Sequence, residues 1–513
     1  MKRHLPIHPL LFALLPVLSL YSANVTEVSP RQVLGPMLVV LAAAILMLLL
    51  AWGILKEIRK AGLLTSIALI LCFCYGHIVS PPPVSSDAGH SSYAALSNLA
   101  KIVLVTWTLI FSFSIYFLRR TRLDFRRLTI LLNIVGAVVV AIPTANIALR
   151  ETGGSGNFDA APDTAEVHLS IPETPPDIYY IILDRYPSAS ALKEMHDFAN
   201  SEFLDYLSTK GFFIGSESHA NYAFTQYSLA SSLNMEYLDR LSQEVGDEAS
   251  VDEGPLQAMV QDYKVWRLLK SAGYEFINVG SWWEPTRANK YADVNINSAG
   301  QLSEFSMTLL RTTALDPLGT SLGLWGDPRK EQWERVRYEF DRLAEIPRMN
   351  QPTFVFAHFI CPHPDFVFER NGDFLTSEAA ADRTVESQYL DQLAAINEKV
   401  KTLVDTLLAE SEVPPIIILQ GDEGDVPWDV DWNDVNWVQV TDTELREELG
   451  ILNAYYFPEI DAGTLYLSIT PVNSFRQVFN LYFDADLGLL PDRSYISRPG
   501  QPYAFYDVTD RLK

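Results

Sequence analysis

Hydrophobic positions fall into two regimes along this chain. Over the first 150 residues they run nearly unbroken, in stretches at 36–55, 62–80, 99–118 and 129–149. Each is close to the ~20 residues that a helix needs to cross a hydrocarbon core about 30 Å thick. A shorter run, 5–21, follows Lys2 and Arg3. A cleaved signal peptide has the same outline, but Ser22-Ala23-Asn24 is a poor small-residue cleavage site, so the run is read as a fifth membrane helix.

After residue 150 the apolar runs shorten and alternate with helical periodicity. "DIYYIILD" (177–184), 274–279, 353–360 and 416–420 are apolar throughout and of strand length. Between them, 190–211, 256–272, 330–344 and 379–408 repeat apolar residues at helical spacing. Strands without polar alternation, separated by helices, predict an α/β domain with a mostly parallel sheet covered on both faces. The predicted organisation is a membrane anchor of about five helices over 1–150, a flexible linker over 151–176 rich in Gly, Pro, Thr and acids, and one extracytoplasmic domain over 177–513.

Charge sharpens this division. Lys2 and Arg3, "KEIRK" (56–60) and "RRTRLDFRR" (119–127) mark alternate connections, whereas the other loops, 22–34 and 81–98, carry Arg31 alone. Cytoplasmic loops hold the excess of Lys and Arg, so the N-terminus is expected in the cytoplasm of a plasma-membrane protein and the C-terminal domain outside it. Residues 1–150 have 13 basic against 4 acidic groups; the remaining 26 basic and 59 acidic residues give 151–513 a formal charge of −33. A surface so acidic repels a phosphate backbone and excludes nucleic acid as a partner, while it suits divalent cations. Cys72 and Cys74 fall in a predicted span and Cys361 stands alone, so no disulfide framework is expected.

In a parallel α/β sheet, ligands gather beyond the carboxyl ends of the strands. Asp184 ends the first strand and Asp422 and Glu423, in "LQGDEG", end a late one. Acids meeting there without a basic partner repel one another, which a divalent ion relieves; oxygen ligands suit Mg²⁺, Mn²⁺ or Ca²⁺, and Zn²⁺ also accepts carboxylate. The bland alternative is that Asp422 and Glu423 only cap a turn. "FVFAHFICPHPDF" adds His358 within a strand and His363 in a Pro-flanked turn at the same rim, where a metal or phosphate site explains both. In "SHANYAFTQYSLASSLN", Thr225 stands at or near a helix start, where free N–H groups favour an anion. It serves there either as a plain N-cap or, beside a metal, as a nucleophile. Trp282, Trp283, Trp428, Trp432 and Trp437 sit in loops that either frame a glycan or lipid entrance or pack onto the domain.

Together "YIILD", "NYAFTQYSLASSLN", "AHFICPHPDF", "IIILQGDEG" and the closing segment 450–495 resemble the sulfatase-like branch of the alkaline phosphatase superfamily over most of 177–495. With its membrane anchor the chain is similar in plan to lipoteichoic acid synthases and phosphoethanolamine transferases. The resemblance implies Asp184 and Asp422 as metal ligands, Thr225 as ligand and nucleophile, and His358 and His363 serving a second metal, the substrate's anionic group or the leaving group. It further implies Asn221 as a hydrogen-bond donor to a phosphoryl oxygen, unless that residue only forms a turn. Glu423 stands where the family has His, which favours harder metals over a strict zinc site or marks a weakened one. A sulfatase Cys/Ser-x-Pro-x-Arg motif is missing near Thr225, which argues against formylglycine chemistry.

The expected function is thus a metal-dependent phosphodiester hydrolase or transferase acting on a lipid-linked or glycan substrate, with membrane lipids as partners. The competing expectation is a catalytically inactive module that binds a glycan or a protein. A transporter is disfavoured, since no acid or Arg lies deep within the spans.

Overall fold

The structure, a computed structural model, describes residues 5–25, 28, 30–79, 98–153, 167–245, 253–297, 304–321, 327–349, 351–425, 435–498 and 501–513. Half of the predicted linker (154–166), the loop 80–97, Trp428 and Trp432 lie outside these residues. Two compact units emerge.

The first unit is helical: α1 (His8–Ala23), α2 (Pro30–Leu55), α3 (Ile58–Val79), α4 (Asn98–Arg120) and α5 (Arg126–Gly153). Four of these contain segments long and apolar enough to cross a membrane, Gln32–Leu55, Ile58–Val79, Leu99–Arg120 and Arg126–Leu149; α1 is shorter at 16 residues. Leu38, Leu46, Leu109 and Leu131 are exposed. Apolar side chains turned outward on helix after helix form a surface that lipid, not water, tolerates. Small residues line the inner seam, among them Ala13, Ala44 and Ala61, and let the backbones approach closely. The N-terminus of α1 is closed by Asn133, whose Oδ1 accepts from the N–H groups of Ile7 at 3.0 Å and His8 at 2.9 Å. This unit also takes in two short helices from far along the chain, Glu304–Arg311 and Leu315–Ser321.

The second unit is built on a seven-stranded mixed sheet. Its strands are β1 (Ile178–Leu183), β2 (Phe213–Ile214), β3 (Glu275–Val279), β4 (Val294–Ile296), β5 (Thr353–Phe359), β6 (Ile416–Gln420) and β7 (Asn453–Tyr456), in spatial order β2-β7-β6-β1-β5-β3-β4. β6, β1, β5, β3 and β4 are parallel, and β7 and β2 close one side antiparallel. A two-stranded ribbon, β8 (Tyr495–Arg498) and β9 (Gln501–Asp507), completes the unit.

β1 is wholly buried at the centre because alternate residues feed two cores. Ile178, Tyr180 and Ile182 join the cluster on one face, and Tyr179, Ile181 and Leu183 the cluster on the other. Three predicted helices are each two: Asp197, in the left-handed region at φ 48°, ends Ala189–His196 before Ser201–Thr209; 256–272 divides into Gly254–Gln261 and Lys264–Ser271; and 379–408 into Ser377–Ala381 and Val385–Glu410. The parallel register pairs Ile182 with His358 on one side and Gln420 on the other, so β1, β5 and β6 end level. That alignment places the residues following each strand on one rim.

Candidate functional site

Asp184, His358 and Asp422 converge on this rim. One potential ligand atom from each lies within 4.8 Å of the others, and all three residues are buried. His358 Nε2 is 3.4 Å from Asp184 Oδ2 and 4.0 Å from Asp422 Oδ2. Asp184 Oδ1, His358 Nε2 and Asp422 Oδ2 are shielded from solvent and carry no well-formed hydrogen bond. Buried polar atoms are nearly always satisfied, so unpartnered atoms on three residues whose donor groups converge within 4.8 Å fit a site for a cation. Two carboxylates and an imidazole make a suitable donor set for a divalent ion and leave its identity open.

Two of these side chains are held from behind. Asp422 Oδ1 accepts the backbone N–H of Arg185 at 3.2 Å and of Glu423 at 2.9 Å, turning Oδ2 inward. His358 Nδ1 meets the Thr286 hydroxyl at 2.9 Å, which in turn lies 3.1 Å from Ser281 Oγ, and the edge of Trp283 packs on the imidazole at 5.7 Å. A ring nitrogen fixed by an outer partner orients the other toward a metal. The glycines around "DE" are there for space: a Cβ on Gly421 would stand 2.4 Å from Tyr186 O, and one on Gly424 2.0 Å from Glu447 O.

The two central carboxyls are driven apart in acidity. Burial pushes Asp422 well above the usual carboxylate range, reinforced by the charges of Asp184 and Glu423 and opposed by the Thr225 hydroxyl and the Arg185 N–H. Burial acts upward on Asp184 too, yet the charges of His363, His358 and Arg185 outweigh it and hold that group low.

Thr225 is the first residue of the helix Thr225–Asn234, and the cap position belongs to Phe224, which makes no side-chain capping bond. The plain N-cap role is therefore not the one Thr225 fills. Its hydroxyl instead approaches the Asp422 carboxylate. Phe224 has φ 71° and ψ 132°, a conformation that costs a non-glycine residue about 1–3 kcal/mol. It is held by packing against Tyr227 and the buried Trp437 and by an N–H bond to the Glu423 carboxylate.

Glu423 itself faces Arg185, with Oε1 2.9 Å from the guanidinium. Glu448 lies 3.5 Å from the same group, and all three side chains are buried. The expectation that the rim acids lack a basic partner thus needs correcting: the residue next to Asp184 is that partner, and its adjacency in the sequence was the available signal. Burial lifts Glu423 to about 7, against the pull of Arg185. Glu423 is outside the group of convergent ligand atoms, and one of its oxygens is committed to a guanidinium.

The other two expected residues are placed differently. His363 is half-buried; its N–H donates to Asp184 O at 3.1 Å, its Nδ1 turns to Pro364 O, and burial lowers its pKa below the ordinary imidazole value. Asn221 is buried, with Oδ1 accepting from Val472 N–H at 2.7 Å and Nδ2 donating to Arg493 O at 2.8 Å. Both ends of its amide tie the Thr225 loop to later segments. Arg185, Thr286 and Ser281 are the site residues that sequence reasoning missed.

No protein-family profile and no curated protein matches the chain. Among solved structures it is similar to the C-terminal periplasmic domain of EcEptC from Escherichia coli in complex with Zn, at 11% identity over 68% of this chain and 96% of that one, TM-score 0.46. It is also similar to the integral membrane protein lipooligosaccharide phosphoethanolamine transferase A from Neisseria meningitidis, at 12% identity over 92% and 95%, TM-score 0.42. A third is the periplasmic domain of phosphoethanolamine transferase EptC from Campylobacter jejuni, at 9% identity over 63% and 92%, TM-score 0.37. Likeness at these levels carries no argument about chemistry, which has to come from the side chains.

Proposed function

We propose that this chain is a membrane-anchored, metal-dependent phosphoryl-type hydrolase or transferase whose nucleophile is Thr225. The observation behind the proposal is that unsatisfied atoms of Asp184, His358 and Asp422 gather beside a hydroxyl at a helix start. Those three side chains, with Thr225, would hold the ion. A divalent ion there supplies charge that acidifies the hydroxyl and offsets the phosphoryl oxygens.

The protein's own groups then account for the two steps. Thr225 Oγ bonds to phosphorus as the bond from phosphorus to one ester oxygen breaks, and the hydroxyl proton passes by way of Asp422 to the departing alcohol. In the second step a water or acceptor hydroxyl attacks phosphorus, the Oγ–P bond breaks, and the proton given up by the attacking hydroxyl passes to Thr225 Oγ. The N–H groups at the start of Thr225–Asn234 would offset the charge on the equatorial oxygens. The strained Phe224 turn, held by Glu423, fixes the hydroxyl before substrate arrives, and a preset position lowers the entropy lost on reaching the transition state.

The membrane helices favour a lipid-linked or glycan phosphodiester, and the Lys and Arg distribution favours an extracytoplasmic site. The test is metal content and phosphodiester turnover of the full chain in lipid nanodiscs, using bis(p-nitrophenyl) phosphate with Mn²⁺, Mg²⁺, Ca²⁺ or Zn²⁺. Stoichiometric metal with turnover that Thr225→Ala abolishes supports the reading. Metal-free protein without turnover under any of the four ions overturns it in favour of an inactive binding module.

A further inference from the structure

Residues 304–321 lie in sequence between β4 and the helix Pro328–Leu343 of the sheet unit, yet they fold with the helical bundle. Their attachment involves backbone as well as side chains. Gly76 N–H donates to Thr312 O and Ala314 N–H donates to Cys72 O, both at 2.9 Å. Cys72 and Gly76 are the i and i+4 positions whose C=O and N–H face each other in any α-helix. The turn between the two short helices is therefore laid along the backbone of α3. Only glycine admits this: a Cβ on residue 76 would stand 2.6 Å from Thr312 Cα.

Side chains fix which end of the bundle is involved. Phe305 and Leu309 are buried with Val17 and Tyr21 of α1, Val33 of α2 and Ile147 of α5, and Ala314 packs by Tyr75 of α3 and Val103 of α4. These belong to the C-terminal parts of α1, α3 and α5 and the N-terminal parts of α2 and α4. They thus share the end opposite the basic connections, which are themselves joined by Arg59 to Asp124 at 3.0 Å and Lys60 to Thr121 O at 2.9 Å. Gly76 and Cys72 precede the end of α3 at Val79 by one to two turns. At 1.5 Å per residue, the 312–314 backbone sits about 5–10 Å inside the helix end.

Backbone at that depth has to find its partners within the protein. It does so here: Thr312 Oγ1 donates to Leu309 O and Thr313 Oγ1 to Leu310 O, each at 2.7 Å, and Leu315 N–H donates to Thr313 Oγ1 at 3.2 Å. The Thr312 and Thr313 hydroxyls are satisfied internally, Thr308 and Arg311 are exposed on the preceding helix, and the segment from Leu315 on leaves Leu315 51% and Leu318 43% exposed. That exposure continues the outward apolar faces of the neighbouring helices.

We infer that residues 304–321 form a re-entrant element seated in the non-cytoplasmic end of the bundle, with Leu315 and Leu318 in contact with lipid hydrocarbon. The sheet unit's chain is then fastened to the bilayer twice, after α5 and again through this insert.

The test is spin-label accessibility in the full chain reconstituted in phosphatidylcholine vesicles. Single cysteines replace Leu315 or Leu318 in a background with Cys72, Cys74 and Cys361 changed to Ala, with Leu46→Cys as lipid-facing reference and Glu334→Cys as aqueous reference. The expected result is collision with oxygen several-fold favoured over a water-soluble nickel complex, as at Leu46. Nickel preference at Glu334's level overturns the inference, and so does shielding from both reagents, which would mean a protein cover. Gly76→Ala should shift both labels toward nickel by displacing Thr312. If the cysteine-free background does not stay folded, a photo-crosslinking residue at 318 in the native chain decides the matter, with lipid adducts expected and their lack overturning the inference.

Discussion

Two clusters of acids stand side by side at the end of the sheet, and they differ in one respect. Asp184 and Asp422 face each other across His358 with unsatisfied atoms and, among the described residues, no Lys or Arg side chain between them. Glu423 and Glu448 close on Arg185. The first cluster fits a cation drawn from solution. The second carries its own. Acidic residues at a strand end therefore identify a site only when their neutralising charge is unaccounted for, and one guanidinium separates the two cases here.

The contrast yields predictions in descending size. Thr225→Ala should reduce phosphodiester turnover by at least ~10³-fold with the fold retained, since it removes the reacting atom while Asp184, His358 and Asp422 stay in place; turnover within tenfold of the parent would show that the open cluster is not built around this hydroxyl. Arg185→Leu should cost about 3–5 kcal/mol in denaturant unfolding, because it strands buried carboxylates that the guanidinium holds. In the same comparison Glu423→Gln should leave metal stoichiometry unchanged; loss of the metal would merge the two clusters into one site. Thr286→Val should weaken metal binding by about 10–100-fold in calorimetric titration, the usual cost of freeing a ligand histidine's outer nitrogen.

The smallest effect involves His196, which bridges Glu386 Oε1 at 2.8 Å and Asp425 Oδ2 at 2.9 Å. Burial lowers its pKa, but the two carboxylates outweigh burial and leave it above the ordinary 6.5. The stability it contributes is thus fully present below pH 6.5 and is lost as pH rises through the elevated folded value. Unfolding of the parent beside His196→Gln across pH 5.5 to 8.5 should show the parent's advantage shrinking with pH. A constant difference would mean that this imidazole is not charged at all.

Much of this architecture was legible in the sequence because burial on two faces leaves a plain trace. "YIIL" and "IIIL" could only be covered strands, and covered parallel strands bring Asp184, His358 and Asp422 to one rim. Thr286 was not legible, since a four-residue helix after β3 carries it to His358 across 72 positions. The structural ties of Asn221 were not legible either, because they run to Val472 and Arg493, more than 250 positions away. The insert was hidden for a related reason: its apolar stripe fits any amphipathic helix, and periodicity does not tell which surface receives it.

The backbone bonds from Thr312 and Ala314 to α3 bear on how this protein behaves during fractionation. His168, Ser170, Glu173 and Thr174 lie exposed ahead of β1 and offer a protease an accessible cut. Such a cut divides the chain into an anchor piece and a sheet-bearing piece. With the re-entrant element in the bilayer, the sheet-bearing piece sediments with the membranes and washes off only in detergent.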